Sequence, residues 1–267
     1  MALSFRQSEI LDIARAEGKV GVDDLARHFG VTVQTIRRDL SELSDSGLLD
    51  RVHGGAVLRM GVSNIGYEER RRMNEAGKAA IARACAAAIP DNCSLIFNLG
   101  TTTEAVAREM LGHRNITVIT NNMNVANILV ANPSCEVILA GGALRRSDGG
   151  LVGELTAEFF GQFKVDIAVI GASGLDQEGD LLDFDLAEVR VSRAILRQAR
   201  QVFLVADHSK LARSAPVRLT SLAEIDRIFT DRPLPDELTR LCAEWNTMIS
   251  VASGLKAAEQ LFAEADR

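Results

Sequence analysis

The run Gly100-Thr101-Thr102-Thr103 places a glycine turn and three hydroxyls directly after the apolar stretch Ser94 to Leu99 and ahead of a helical pattern. A glycine turn followed by hydroxyls at a helix N-terminus offers free N–H groups, a favourable dipole and side-chain donors, a combination suited to a phosphate. The same residues also build an ordinary strand-to-helix turn, so the run alone leaves both readings open. Three further elements stand at comparable places: Thr120-Asn121-Asn122, Gly141-Gly142, and the pair Asp207 with Lys210. Each lies just beyond a strand-like run, at the edge where open α/β sheets bind ligands, and together they are expected to converge on one pocket. A second chemistry is suggested near the N-terminus, where Thr32, Gln34, Thr35, Arg37 and Arg38 share one short helical pattern. Gln pairs bidentately with adenine and Arg with guanine, while Thr and helix-start peptide groups hold phosphates, so these residues suit a DNA groove. The plain alternative is a solvated helix face, with Asp39 as a helix-surface partner.

The elements that must position these groups are legible in the spacing of apolar residues. Residues 5 to 17 place Ile10, Leu11, Ile13 and Ala14 on one face of a helix ended by Gly18. A second, short helix runs to Phe29, with Asp23 and Asp24 in its first turn, where the helix dipole favours them, and Gly30 as its stop. Thr32 caps a third helix, Val33 to Leu43, whose Ile36, Leu40 and Leu43 form an i, i+4, i+7 stripe and leave Gln34, Thr35, Arg37 and Arg38 facing elsewhere. After Gly47, the segment Leu48 to Val57 reads as two short strands about a glycine turn. This order predicts a winged helix-turn-helix over residues 1–58. The charge-rich stretch 59–74, with Glu68-Glu69-Arg70-Arg71-Arg72, reads as a linker or connecting helix. From 75 to 252, strand-like runs at 94–99, 117–120, 136–139, 166–170 and 202–206 alternate with helical patterns such as Glu104 to Leu111 and Asn122 to Ala131. Short, continuously apolar strands between helices predict a buried parallel sheet wound by helices on both faces, a Rossmann-like α/β domain. Residues 253–267 read as an Ala/Glu-rich amphipathic tail without an assigned role.

Composition bounds what such a chain can do. With 267 residues, 47% hydrophobic against 25% charged, it has room for two folded domains. No apolar run reaches the ~18 to 20 residues of a membrane helix, and MALSFRQSEI lacks the pattern of a signal peptide. A cytoplasmic protein with no membrane partner is expected. Cys85, Cys93, Cys135 and Cys242 show no CxxC pairing and no His at metal-ligand spacing, so reduced, buried thiols are expected, with no metal and no cofactor. A net charge of −6 would speak against a nucleic-acid partner if it were evenly spread. The first 72 residues carry eleven Lys/Arg and eleven Asp/Glu, so the acidic excess lies in the remainder and DNA binding would rest on placed arginines.

Val20 to Leu43, together with His53-Gly54-Gly55-Ala56, resembles the DeoR family of sugar-metabolism repressors, whose signature is a T-x-R-R-D-L recognition helix followed by a wing ending H-G-G-A. The resemblance extends from about Arg6 to Asp231, and implies a C-terminal sensor related to ribose-phosphate isomerase. Runs at Gly100, Thr120, Leu139, Asp148, Ser173, Leu182 and Asp207 are most similar to the branch that responds to glycerol 3-phosphate. The resemblance therefore implies a transcriptional repressor of a carbon-metabolism operon, not an enzyme, bound to double-stranded operator DNA and released by a phosphorylated sugar or polyol, glycerol 3-phosphate by that branch. A homo-oligomer of even order is expected, because one short recognition helix reads too few bases for a genomic site. The residues expected on DNA are Thr32, Gln34, Thr35, Arg37, Arg38 and His53. Those expected on the effector are Asn98, Gly100, Thr101, Thr102, Asn121, Asn122, Gly141, Gly142, Asp183, Asp185 and Lys210.

Two positions depart from the family pattern: Asn98 stands where an aspartate is usual, and Leu211 where phenylalanine is common. Asn98 can accept and donate a hydrogen bond but cannot serve as a carboxylate base. The competing reading is an enzyme, a sugar-phosphate isomerase fused to a DNA-binding unit, with Asp183, Asp185 or Glu188 as base and Lys210 near the phosphate. The same groups serve without chemistry if Asp183 and Asp185 orient ligand hydroxyls, Glu188 pairs with Arg190 on a helix surface or at a subunit contact, and Lys210 neutralises phosphate. A regulator of another sugar phosphate, and a ligand-free α/β domain, are the remaining readings. Glycines and hydroxyls clustered at strand ends argue against the last.

Overall fold

The computed structural model describes residues 4–17, 19–46, 48–52, 54–58, 66–211 and 213–252. His53 and the tail 253–267 lie outside them. The chain forms two compact units, Met1–Ser63 and Asn64–Arg267.

The first unit contains α1 (Phe5–Glu17), β1 (Lys19–Gly21), α2 (Val22–Phe29), α3 (Val33–Asp45), β2 (Leu49–Val52) and β3 (Gly55–Leu58). Its core is made by the stripes the periodicity marks: Ile10, Leu11 and Ala14 of α1 and Ile36, Leu40 and Leu43 of α3, closed by Leu25, Leu49 and Ala56. Gly30 takes φ 62, a left-handed conformation that glycine adopts without steric cost, and so ends α2 and turns the chain toward α3. The wing is a three-stranded antiparallel sheet in the order β1-β3-β2. Its first strand, three residues long, is too short to leave a sequence signal. Gly55 faces Gly21 across that pairing, and a Cβ there would run into the Val20 carbonyl.

Asp39 is no surface partner. Only 5% exposed, it accepts from Arg6 Nε at 2.6 Å and Nη2 at 3.3 Å, and so ties α3 to α1 across 33 residues of chain. A charge-assisted pair of this kind contributes about 1.5–3 kcal/mol, most of it as the cost of leaving one partner buried alone.

The second unit begins with α4 (Tyr67–Arg72) and α5 (Glu75–Ala88), followed by β4 (Ser94–Phe97), α6 (Thr101–Glu109), β5 (Ile116–Thr120), α7 (Met123–Leu129) and β6 (Cys135–Leu139). A hairpin of β7 (Ala143–Arg145) and β8 (Gly150–Val152) precedes α8 (Glu154–Phe160) and β9 (Val165–Ile170). Then come β10 (Gly174–Leu175), β11 (Asp180–Asp183), α9 (Leu186–Leu196), β12 (Ala199–Val205), β13 (Val217–Ser221), β14 (Arg227–Thr230), α10 (Asp236–Trp245) and β15 (Met248–Val251). The stretch 59–74, read as a linker or connecting helix, thus contributes α4, Tyr67–Arg72, to the second unit.

Seven strands form one parallel sheet in the order β15-β14-β12-β9-β4-β5-β6. It is buried on both faces, as the apolar runs require. Along β4, Leu95 and Phe97 enter the core shared with α5, α6 and α7, while Ile96 enters the one shared with α8, α9 and α10. The chain leaves β4 toward β5 and β6 on one side and later fills β9, β12, β14 and β15 on the other. The strand order therefore reverses between β4 and β9, and a crevice opens beyond their C-terminal ends. A small antiparallel sheet, β10-β11-β13, stands beside the main one and brings Asp183 to that end.

Asp39→Ala is expected to destabilise the N-terminal unit by about 1.5–3 kcal/mol while leaving the unfolding of the sensor unit in place. Thermal unfolding of the full chain followed by limited proteolysis checks this. An N-terminal unit as protease-resistant as wild type would show that the pair contributes nothing.

Candidate functional site

On the first unit, Thr32 caps α3 by accepting from the Thr35 N–H at 3.3 Å, with the two hydroxyls 2.9 Å apart. Gln34, Arg37 and Arg38 are exposed on one side of the helix while Ile36, Leu40 and Leu43 are buried on the other. Arg38 is tethered at 3.1 Å to Glu42, an exposed i, i+4 pair worth a few tenths of a kcal/mol, about 0.3–0.5, so a phosphate or a base can displace it. Arg51 of β2 reaches α3 and donates to the Arg37 carbonyl at 3.4 Å and to Ser41 Oγ at 2.5 Å. It adds a third exposed guanidinium beside Arg37 and Arg38, one that the helix pattern had no means of revealing.

In the second unit the crevice at the strand reversal is a narrow cleft. It is lined by Arg70 of α4, Leu99 to Thr103 at the β4–α6 turn, Gly171, Ala172 and Ser173 after β9, Asp183 at the end of β11, Glu188 of α9, Val205 at the end of β12, and Lys210. Gly100 has φ 144, a conformation that side chains other than glycine's rarely adopt. That turn lets the first peptide groups of α6 face the cleft, while Thr103 Oγ1 donates back to Gly100 O at 2.6 Å and Asn98 O at 3.0 Å and locks the loop. An adjoining recess shares Arg70, Gly100 and Glu188 and adds Tyr67, Glu104, Asn122 and Asp148. Its wall is a hydrogen-bonded set: Tyr67 Oη donates to Glu104 at 2.8 Å, and Asn124 Nδ2 donates to Glu104, to Tyr67 Oη and to the Asp148 carbonyl at 3.0 to 3.1 Å.

The pattern of a DeoR-like helix-turn-helix domain matches residues 6–60, and that of the DeoR C terminal sensor domain matches residues 73–232. Over 246 residues the chain is 41% identical to the glycerol-3-phosphate regulon repressor of Escherichia coli strain K12, covering 92% of this chain and 98% of that one. It is 39% identical over 254 residues to the repressor of the same description from Haemophilus influenzae, covering 95% and 99%. The chain belongs to the DeoR family. A solved structure it resembles, ribose 5 phosphate isomerase A from Neisseria gonorrhoeae, is 13% identical with a TM-score of 0.37 over 51% of this chain and 53% of that one. As a DeoR-family member matched along nearly its whole length by repressors, the protein is a DNA-binding transcription regulator with a small-molecule sensor domain, and not an enzyme.

The DeoR sensor cleft brings buried cations and carboxyls together. Lys210, Arg213, Lys78 and Arg70 act on one another. Burial, then Arg213, Arg70 and Lys78, push the Lys210 ammonium down to about 7, with Asp207 as the opposing counter-charge. Burial likewise lowers Lys78 to about 8, with Asp207 opposing and Arg213 and Arg70 adding to the shift. Asp207 is held below the usual carboxylate range although burial works against it, by Lys210, Ser209 and Lys78. Among the carboxyls of the same lining, burial and then the Asp183 charge raise Glu188 to about 7, against the pull of Arg145. Burial also raises Asp183. A carboxyl near half protonation both donates to and accepts from a hydroxyl.

The expected effector residues divide accordingly. Gly100, Thr101, Thr102, Asp183 and Lys210 line the cleft, and Asn122 lines the recess. Asn98 lies buried beside it, donating to Ser192 Oγ at 2.7 Å, and Asn121 donates to the Leu151 carbonyl at 3.1 Å to hold β8. Gly141 and Gly142 are not brought there. They follow β6, the edge strand, where Thr156 Oγ1 donates to Gly141 O at 2.8 Å and a Cβ on Gly142 would strike Thr156, so Gly142 serves close packing of α8. Asp185 caps α9 and is bonded to Arg145 at 2.8 Å, outside the lining. The reading of Glu188 as a helix-surface partner of Arg190 is also replaced. Glu188 is paired with Arg145 at 2.6 Å and faces the cleft, while Arg190 stands 3.9 Å from Glu154. Arg70, which lines both cleft and recess, was missed, as were Lys78 and Arg213, whose charges act on Lys210 from outside the lining, because nothing in their local sequence distinguishes them from surface cations.

A depressed lysine costs folding free energy below its unfolded value of 10.5, fully so below its folded value near 7. Lys210→Met is therefore expected to raise the melting temperature in phosphate-free buffer at pH 7, by ~2–4 °C per kcal/mol for a unit of this size. The gain should shrink as the pH approaches 10. A variant less stable than wild type at pH 7 would show that Lys210 is compensated rather than strained.

Proposed function

We propose that this regulator represses a carbon-metabolism operon and leaves its operator when glycerol 3-phosphate enters the cleft beyond β4 and β9. The observation that carries this reading is the pair of cations Arg70 and Lys210 lining the cleft beside the glycine turn and N-terminus of α6, with the charges of Arg213 and Lys78 acting on Lys210 and with Asp183 and Glu188 on the same lining. A phosphate dianion relieves the mutual repulsion of the cations, and the helix N-terminus and Thr101 and Thr102 supply donors. Asp183 and Glu188 suit the hydroxyls of a short polyol. The 41% identity to a glycerol-3-phosphate regulon repressor supports this choice among phosphorylated metabolites.

On the DNA side, Thr32, Gln34, Thr35, Arg37 and Arg38 of α3 enter the major groove, with Arg51 of the wing beside them. One such helix reads few base pairs, so two copies related by a two-fold axis occupy two half-sites, in a homo-oligomer of even order. Effector and operator then oppose each other by linkage: whatever factor the ligand removes from DNA affinity, DNA removes from ligand affinity, typically about 1–3 kcal/mol.

A titration of the protein on the gene's own upstream region, with and without glycerol 3-phosphate, tests this reading. Weaker binding with the ligand and no change with unphosphorylated glycerol are expected. Equal release by glycerol would refute phosphate sensing, and tighter binding with ligand would reverse the sign. Replacing both Arg37 and Arg38 by Ala should weaken specific DNA binding by about 1–3 kcal/mol per base-reading arginine with ligand affinity intact. Wild-type operator affinity in that variant would remove α3 from the groove.

A further inference from the structure

Arg70 occupies an unusual position. It lines both the cleft and the recess, yet it belongs to α4, the first helix of its unit, and only residues 59–66 separate that helix from the last strand of the wing, β3. Its guanidinium is largely enclosed, with 18% of the side chain exposed, and its buried Nε has no hydrogen-bond partner among the described residues. The nearest carboxylate, Asp148, is 3.7 Å away and is already occupied by Arg145, which donates to it at 2.9 and 2.6 Å. At 3.7 Å Arg70 has an ion pair with Asp148 and no hydrogen bond. Its planar fork of donors is thus unspent and faces the Gly100 turn, where a phosphate would accept two parallel bonds.

The backbone of the same residue is held separately. Lys78 donates its ammonium to the Arg70 carbonyl, and Tyr67, one turn earlier, is fastened to Glu104 of α6. Lys78 stands outside the cleft lining, but its charge acts on Lys210, which is part of it. A phosphate bound there would act on α4 through the Arg70 side chain, and through its attraction for the lysine that holds the Arg70 carbonyl.

We propose that Arg70 is both a phosphate ligand and the residue through which the bound effector acts on the chain leading to the DNA-binding unit. The phosphate takes the guanidinium from Asp148, exchanging a loose ion pair for bidentate charge-assisted bonds, and α4 shifts with it. The inference rests on the proposed phosphate-sensing role of the cleft, and it adds the element that carries the signal.

The test compares wild type with Arg70→Ala and Arg70→Lys, using glycerol 3-phosphate and, separately, inorganic phosphate as probes. Calorimetry reads affinity, operator-release midpoints are taken relative to each variant's own ligand-free DNA binding, and hydrogen exchange is followed in residues 66–78. Expected are at least a tenfold loss of affinity and a matching shift of the release midpoint in Arg70→Ala, with part of the affinity restored in Arg70→Lys. Exchange in 66–78 should change on ligand addition in wild type and not in Arg70→Ala. If Arg70→Ala does not fold, Arg70→Lys carries the comparison, with at least threefold weaker binding expected. Variants that bind and release like wild type, or unchanged exchange in 66–78 of saturated wild type, would overturn this inference alone. A wild type that binds neither probe would overturn the phosphate-sensing reading and this inference with it.

Discussion

Two neighbouring parallel strands whose chains leave in opposite directions cannot close the gap beyond their ends with a single connection, and the rest of the sensor follows from that constraint. β4 and β9 are such a pair. The gap between them receives a helix N-terminus with its threonines from one side and the turn after β9, Gly171 to Ser173, from the other. Glycine at position 100 is what permits the approach, since its φ of 144 is closed to other residues. Every other lining group, from Arg70 to Lys210, is brought to this gap by elements packed around the sheet.

Burying cations together there costs stability, a cost that an anion bound in the cleft would offset. Asp207 answers part of the charge and is itself held ionised by Lys210 and Lys78. The carboxyls are held differently, by Arg145, which gathers Asp148, Asp185 and Glu188 and fixes the β7–β8 hairpin to α9. One guanidinium shared among three acids leaves Glu188 poorly neutralised and facing the cleft. A ligand carrying both a phosphate and hydroxyls would meet the cations and the carboxyls of one lining.

What was legible in the sequence was what periodicity and turn chemistry encode locally. The α3 stripe of Ile36, Leu40 and Leu43 predicts which side of the helix is free, and Gly100-Thr101-Thr102 predicts a helix start after a strand. Strand order carries no such local trace. Gly141-Gly142 has the same appearance as a ligand turn but follows the edge strand β6, where Gly142 is used for packing against Thr156. Arg70 and Lys78 come from one stretch of chain and Lys210 and Arg213 from another far along it, so the two pairs meet only in the folded unit, and α4, at six residues, is too short to show a helical repeat. Asp39 misleads for the opposite reason: a charged residue beside exposed arginines looks solvated, and only its partner Arg6, on another helix, explains its burial.

The central claim is that a set of cations, with Lys210 held near 7 and Lys78 near 8 by burial and by their neighbours, awaits a phosphate dianion. At pH 8 glycerol 3-phosphate is already the dianion, since its second ionisation lies near pH ~6, whereas much of the Lys210 and Lys78 population is neutral. Binding must then raise both lysines and draw protons from solution. Calorimetric titration in two buffers of different ionisation enthalpy counts those protons. The account predicts net uptake of roughly half a proton or more per site at pH 8, vanishing in Lys210→Met,Lys78→Met. Binding of glycerol 3-phosphate at pH 8 without proton uptake, or with proton release, would contradict it.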